Sequence, residues 1–162
     1  MATSSLELIK LNVDGAIFFY RYKAEVGIIL RGTKGDIVMF ASKLEAKAQD
    51  LAIIKLLAMF WGLQLCANMR IANLILESDC LMMVDELQNV IDSHYPQRVL
   101  VQETKRLTQL FRDCRVKHIN QLGNETAHRL ACYAWNVENI EMWWDIVPVD
   151  VSQALWLDKN TL

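Results

Sequence analysis

Two aspartates occupy the ends of short apolar runs: Asp14 in "LIKLNVDG" (Leu8–Gly15) and Asp79 in "NLILESD" (Asn73–Asp79). A carboxylate at the point where a buried strand surfaces loses hydration unless it gains a partner. Two that converge from adjacent strands repel each other unless a cation lies between them. Taken alone, the pair predicts a divalent-metal site at one edge of a sheet. Other residues able to do chemistry are few. His94 falls in the polar segment "DSHYPQ", while His118 and His128 lie in apolar patterns, where a histidine is more often a satisfied core residue than a ligand. Cys66, Cys80, Cys114 and Cys132 lack a C-x-x-C spacing, which predicts reduced core thiols rather than disulfides or zinc ligands.

The elements that must position these groups follow from hydrophobic periodicity. Alternation over Leu6–Asp14 predicts a first strand, Glu25–Arg31 a second and Asp36–Phe40 a third, the last two joined by the glycine-bounded turn "GTKG" (Gly32–Gly35). Short links between three consecutive strands imply an antiparallel meander. Asp50 is placed as an N-cap, followed by a helix over Leu51–Asn68 that is apolar nearly all round and therefore expected to be buried. Ala72–Glu77 predicts a fourth strand, reached through a helix and so parallel to the first. Asp79 is then expected to cap a second helix over Cys80–Val90. A third helix over Arg98–Cys114, a fifth strand over Val116–Ile119 and a last helix over Glu125–Asn139 complete the order. The predicted fold is α/β: a five-stranded mixed sheet, strands one to three antiparallel and four and five parallel to the first, with helices on both faces.

Composition sets limits on partners and compartment. At 162 residues and 53% hydrophobic content, the chain suits one compact domain with a sizeable core. Lys and Arg total 17 against 19 Asp and Glu, giving 17 − 19 = −2. Contact with a polyanion would therefore depend on a local basic face, such as Arg21, Lys23, Arg31 and Lys34 on the first hairpins, instead of on global steering. The longest apolar stretch, Leu51–Ala67, is interrupted by Lys55 and Gln64, and no cationic start leads into an apolar signal segment. These features predict a soluble intracellular protein with no membrane partner, nuclear and cytoplasmic locations being equally open.

Five blocks, "KLNVDGA" (Lys10–Ala16), "VGIILRGTKG" (Val26–Gly35), "GLQLC" (Gly62–Cys66), "LILESD" (Leu74–Asp79) and "VKHINQLGNETAHRLA" (Val116–Ala131), follow one another in a characteristic order and spacing. In this the chain resembles the plant ribonuclease H-like domain of the reverse-transcriptase-associated type, found at the ends of non-LTR retrotransposons and as small free-standing proteins. The resemblance covers roughly Leu8–Trp135. It implies a ribonuclease H-like domain over residues 6–139, followed by a tail, 140–162, that packs on the domain or forms an interface.

In active members of the type 1 ribonuclease H family, four acidic residues hold two magnesium ions that cleave the RNA strand of an RNA–DNA hybrid. Magnesium calls for hard oxygen ligands, and two ions clamp both the attacking water and the leaving oxygen. By this resemblance the first and third acidic positions fall on Asp14 and Asp79. The second, seven residues before Gly62, falls on Lys55, and the fourth, four residues after Asn124, on His128. The family's mobile catalytic histidine coincides with His118, and Asn12, Gly15 and Asn124 fall where the family lines the hybrid groove.

The two departures are unequal. Neutral His128 retains a ring nitrogen able to ligate a metal, leaving Asp14, Asp79 and His128 as a weakened ligand set. Lys55 replaces a carboxylate by a cation, and with His128 neutral at the fourth position the formal site charge moves from −4 to about −1. At about 4 Å and an effective dielectric near 20, each such charge–charge interaction is about 4 kcal/mol, enough to cost orders of magnitude in metal affinity. Lys55 is instead placed to act as the counter-ion, bridging Asp14 and Asp79 where magnesium would sit. Two classes of function follow: a Mg²⁺-dependent RNA–DNA hybrid ribonuclease, or a catalytically degenerate, retrotransposon-derived domain that needs no cofactor and binds nucleic acid or a protein partner. Trp61 and Trp135 are expected in the core, and the tail's Trp143, Trp144 and Trp156 against the domain or at an interface.

Overall fold

The structure, a computed structural model, describes residues 7–18, 23–45, 50–89, 98–133 and 140–143. A meander of β1 (Leu8–Phe18), β2 (Lys23–Gly32) and β3 (Ile37–Glu45) is joined by the predicted turn, in which Gly35 takes φ 82° and its N–H bonds to Gly32 O at 3.0 Å. Helix α1 (Leu51–Asn68) begins where Asp50 accepts the Ala52 N–H at 2.8 Å. Then come β4 (Asn73–Ser78), α2 (Leu81–Gln88), α3 (Arg98–Thr108), β5 (Asp113–His118), a 3-10 turn over Leu122–Asn124, α4 (Glu125–Tyr133) and β6 (Ile140–Trp143). The sheet order is β5-β4-β1-β2-β3-β6, with β4 parallel to β1 and β5 parallel to β4.

The pleat divides the sheet into two apolar faces. Ile9, Leu11 and Val13 of β1 and Val26, Ile28 and Leu30 of β2 form the larger core with α1, α2 and α3. Ile29 and Phe40 pack against Ala127 and Leu130 of α4 on the opposite face. Length and composition would also suit α1 to a membrane span, yet Ile54, Leu56, Ala58, Met59, Leu63 and Cys66 are fully buried within this domain. Glycines permit both helix contacts. A Cβ at Gly62 would meet Val13 Cγ1 at 2.9 Å, and one at Gly27 would meet Ala127 O at 2.1 Å.

Several boundaries differ from the sequence reading for physical reasons. Strand β1 runs past Asp14 to Phe18, because Asp14–Phe18 still pair with β2 after pairing with β4 has stopped at Asn12↔Glu77. Asp14 thus marks the loss of one neighbour, not the end of the strand. Helix α3 ends at Thr108 and β5 starts at Asp113. As an edge strand, β5 exposes Asp113, Arg115 and Lys117, so only Cys114 and Val116 signal burial. The first helical residue after β4 is preceded by Cys80, whose N–H bonds to Ser78 Oγ at 3.1 Å, and among the described residues no side chain caps α2. Asp79 is consequently not an N-cap.

Residues Ile140–Trp143, read in the sequence only as the start of a tail, add a sixth strand by pairing Lys43↔Ile140 through Phe40↔Trp143. Four residues containing one glutamate are too short to signal a strand. Trp61 packs edge-on to Phe60, with centroids 5.3 Å apart, and lies 3.9 Å beneath the Lys43 ammonium. The four cysteines are free, and burial raises the Cys66 thiol and pushes Cys114 up to about 12. Of the basic residues expected on the hairpin edge, Arg31 is buried and Lys34 is exposed. Arg21, His94, Trp135, Trp144 and Trp156, and the end of the last predicted helix, lie outside the described residues.

Candidate active site

Three elements bring four side chains together. Asp14 projects from β1 just beyond the last residue paired with β4, and Asp79 follows β4 directly. A Cβ at Gly15 would lie 2.8 Å from Ile54 O, so the glycine lets the first turns of α1 approach and deliver Lys55 between the two strands. On the other face, α4 is seated by three contacts. The Gly27 backbone meets the helix, Ser42 Oγ donates to Leu130 O at 2.7 Å, and the Asn124 amide donates to Val13 O at 2.7 Å. That seat carries His128 to Asp14.

The four form a continuous chain. Lys55 Nζ donates to Asp79 Oδ1 at 2.7 Å and lies 3.2 Å from Asp14 Oδ1. Asp14 Oδ1 accepts no aligned hydrogen bond among the described residues, so the second contact is charge to charge. His128 Nδ1 stands 2.8 Å from Asp14 Oδ2, and its Nε2 is 3.7 Å from Cys132 Sγ. The Asp14 and Asp79 side chains are 1% and 6% exposed, so neither has water as an adequate partner. Burial by itself would lower the Lys55 pKa, but the hydrogen bond to Asp79 and the charges of both aspartates outweigh it and raise the value. The hydrogen bond to Asp14, and then that to Cys132, raise His128 to about 10 against the opposing effect of burial.

His128 is therefore an imidazolium at neutral pH, not the neutral ligand the sequence reading assumed. The formal charge of Asp14, Asp79, Lys55 and His128 becomes −1 − 1 + 1 + 1 = 0. This donor set does not fit magnesium. An ammonium lies between the carboxylates that would be its ligands, and the third candidate ligand is committed to one of them. Among the described residues, no three His, Cys, Asp or Glu side chains are arranged to hold a metal ion.

The remaining candidates lie around this chain but do not join it. His118 is exposed, and its Nε2 stands 3.2 Å from Asp79 O, so that nitrogen must be the donor. Asn12, Gly15 and Asn124 are packed inward and do not line an open groove. Asn12 is 3% exposed and bonds Glu77 Oε1 at 3.3 Å, Gly15 faces α1, and Asn124 is 1% exposed on Val13 O. Cys132 was missed as a neighbour of His128, although its position one helical turn later, at i+4, could have signalled it.

Comparison with known proteins identifies the family and the fold. A sequence-family model described as "Reverse transcriptase-like" matches residues 12–134. The chain belongs to the reverse transcriptase-like family. This domain has the ribonuclease H-like fold, and it is similar to ribonuclease H1 from the halophilic archaeon Halobacterium salinarum at 23% identity and TM-score 0.73, over 80% of this chain and 98% of that one. An N-terminal ribonuclease H domain from Mycobacterium tuberculosis matches at 15% identity and TM-score 0.72, over 80% and 94% of the two chains. LC11-RNase H1, from a compost metagenome and solved with an RNA/DNA hybrid, matches at 14% and TM-score 0.68, over 77% and 94%. A comparison of the sequence with curated proteins finds no match.

Proposed function

We propose that this reverse transcriptase-like domain binds nucleic acid, an RNA–DNA hybrid foremost, and catalyses little or no hydrolysis. The observation that carries the reading is the Lys55 ammonium, 2.7 Å from Asp79 and 3.2 Å from Asp14, in the place a divalent ion needs. Two-metal hydrolysis depends on carboxylates free to hold cations and orient water. Here both carboxylates are already neutralised from within the chain. Binding is favoured because two similar folds, LC11-RNase H1 and a foamy viral protease-reverse transcriptase, were solved holding RNA/DNA hybrids. The block order of the sequence supports placing the domain in the plant, retrotransposon-derived branch of the family.

Isothermal calorimetry with Mg²⁺ and a gel assay on a labelled hybrid test the reading together. The expected result is no magnesium binding, and a hybrid that is retarded but intact. Tight magnesium binding with cleavage that disappears in Asp14→Asn would overturn it in favour of an active ribonuclease. Neither cleavage nor retardation would point to a protein partner.

A further inference from the structure

Within the ion chain, Lys55 is placed differently from the carboxylates it neutralises. Its side chain is 16% exposed, against 1% for Asp14 and 6% for Asp79, so of these three charged side chains Lys55 keeps the most contact with solvent. An ammonium has three N–H donors. One is used by the hydrogen bond to Asp79 Oδ1, and the contact with Asp14 Oδ1 is not an aligned hydrogen bond. Lys55 therefore keeps donor capacity beyond its bond to Asp79. An anion arriving at Lys55 meets a cation backed by two buried carboxylates. Without Lys55 it would meet the carboxylates and be repelled unless divalent ions intervened.

We propose that Lys55 contacts a backbone phosphate of the bound nucleic acid directly, so that binding by this domain is independent of divalent cations. This inference rests on the nucleic-acid-binding reading above and assigns the mode and ion dependence of binding at that same site. It reverses the logic of a two-carboxylate metal site, in which divalent ions are what bring the phosphate in.

Fluorescence anisotropy of a labelled RNA–DNA hybrid titrated with the full chain tests it, in EDTA and in millimolar MgCl₂ at matched ionic strength. The expected affinity in EDTA is at least that in MgCl₂, since the contact needs no divalent ion and Mg²⁺ competes for the phosphates. Lys55→Gln is expected to weaken binding in EDTA by about tenfold, the effect of losing one charge-assisted contact. Its slope of log K against log salt should be shallower by about 0.9, the signature of one lost phosphate contact. Lys55→Arg should keep the wild-type slope. Wild-type binding that needs Mg²⁺ overturns the inference while leaving the nucleic-acid reading intact. A Lys55→Gln slope equal to wild type does the same. No binding in either buffer overturns both. Where Lys55→Gln fails to fold, the two-buffer comparison on the wild-type chain still tests the ion independence, and the slope of Lys55→Arg tests the contact.

Discussion

Replacing Lys55 by Ala removes the cation from between two aspartates whose side chains are only 1% and 6% exposed. At contacts of 2.7 and 3.2 Å and an effective dielectric near 20, the attraction is about 6 and about 5 kcal/mol for the two pairs before desolvation is subtracted. Removing one partner of a buried ion pair costs about 3–5 kcal/mol, because the other charge is left without compensation. Lys55 retains some solvent contact, which places the expected loss near the lower end, about 3 kcal/mol. For a domain of this size that corresponds to a fall in Tm of about 6–12 °C. The variant also presents two carboxylates whose one remaining counter-charge in the chain of four is His128 on Asp14. Mg²⁺ at ten times its Kd should therefore restore about 1.4 kcal/mol, by RT ln(1 + [L]/Kd), whereas the wild-type Tm stays insensitive to Mg²⁺. Thermal and urea unfolding with and without Mg²⁺ measure both effects. A loss below about 1 kcal/mol, typical of a surface ion pair, with no magnesium dependence would refute the assignment of Lys55 as the internal counter-ion.

Four further outcomes follow from the same geometry. Glu25 is fully buried with no hydrogen-bond partner among the described residues, and burial, opposed only by the charge of Lys23, pushes its carboxyl up from 4.5 to about 7. The protonated form is the one folding favours, so its stability contribution is complete below pH 4.5 and lost as pH rises through 7. Glu25→Gln should abolish that slope and gain up to about 3 kcal/mol on wild type at pH 8, measured by denaturation at pH 5 and 8. His128, raised from 6.5 to about 10, contributes stability that is complete below pH 6.5 and lost as pH rises through 10. Its side chain is 37% exposed, so screening keeps that contribution near 1 kcal/mol, and NMR titration of the ring locates the midpoint. Gly27→Ala drives a Cβ to 2.1 Å from Ala127 O and should cost about 3 kcal/mol by displacing α4. In that variant His128 should titrate back toward 6.5 as its bond to Asp14 fails. Lys55→Glu with His128→Asp restores four carboxylates and should confer Mg²⁺-dependent hybrid cleavage. His128→Asp alone leaves the ammonium in place and should stay inactive in the same gel assay.

The sequence showed most of the framework because the framework is what hydrophobic periodicity records. Helix α1 was readable to the residue, since Asp50 caps it and its apolar run, interrupted only by Lys55 and Gln64, continues until Asn68. Edges were not legible for the opposite reason. β5 alternates in exposure with mostly charged residues, and β6 is four residues long, so tertiary pairing and not local pattern defines them. Within the site, the family spacing identified Asp14, Lys55, Asp79 and His128. The charge of His128 could not be read from residue types, because it depends on a 2.8 Å contact between residues 114 apart in the chain. The inward orientation of Asn12 and Asn124 was hidden likewise, each being satisfied by a distant acceptor, Glu77 Oε1 and Val13 O.

Each charged member of the site is held by a device that does not involve the site's own charges. Asp14 is fixed by antiparallel pairing with Gly27, and Asp79 by the end of β4. Lys55 is delivered by the close approach of α1 over Gly15, and His128 by the seating of α4 on Gly27, Ser42 and Asn124. Shape and charge are therefore separable in this domain. Exchanging an anion for a cation at Lys55 changes what the site attracts while the strands and helices that present it keep their packing. Two-metal hydrolysis depends on both, because it needs converging carboxylates and their negative charge. Contact with a phosphate backbone depends only on a cation presented at the right place on a rigid surface. A single lysine can thus end the first and leave the second standing.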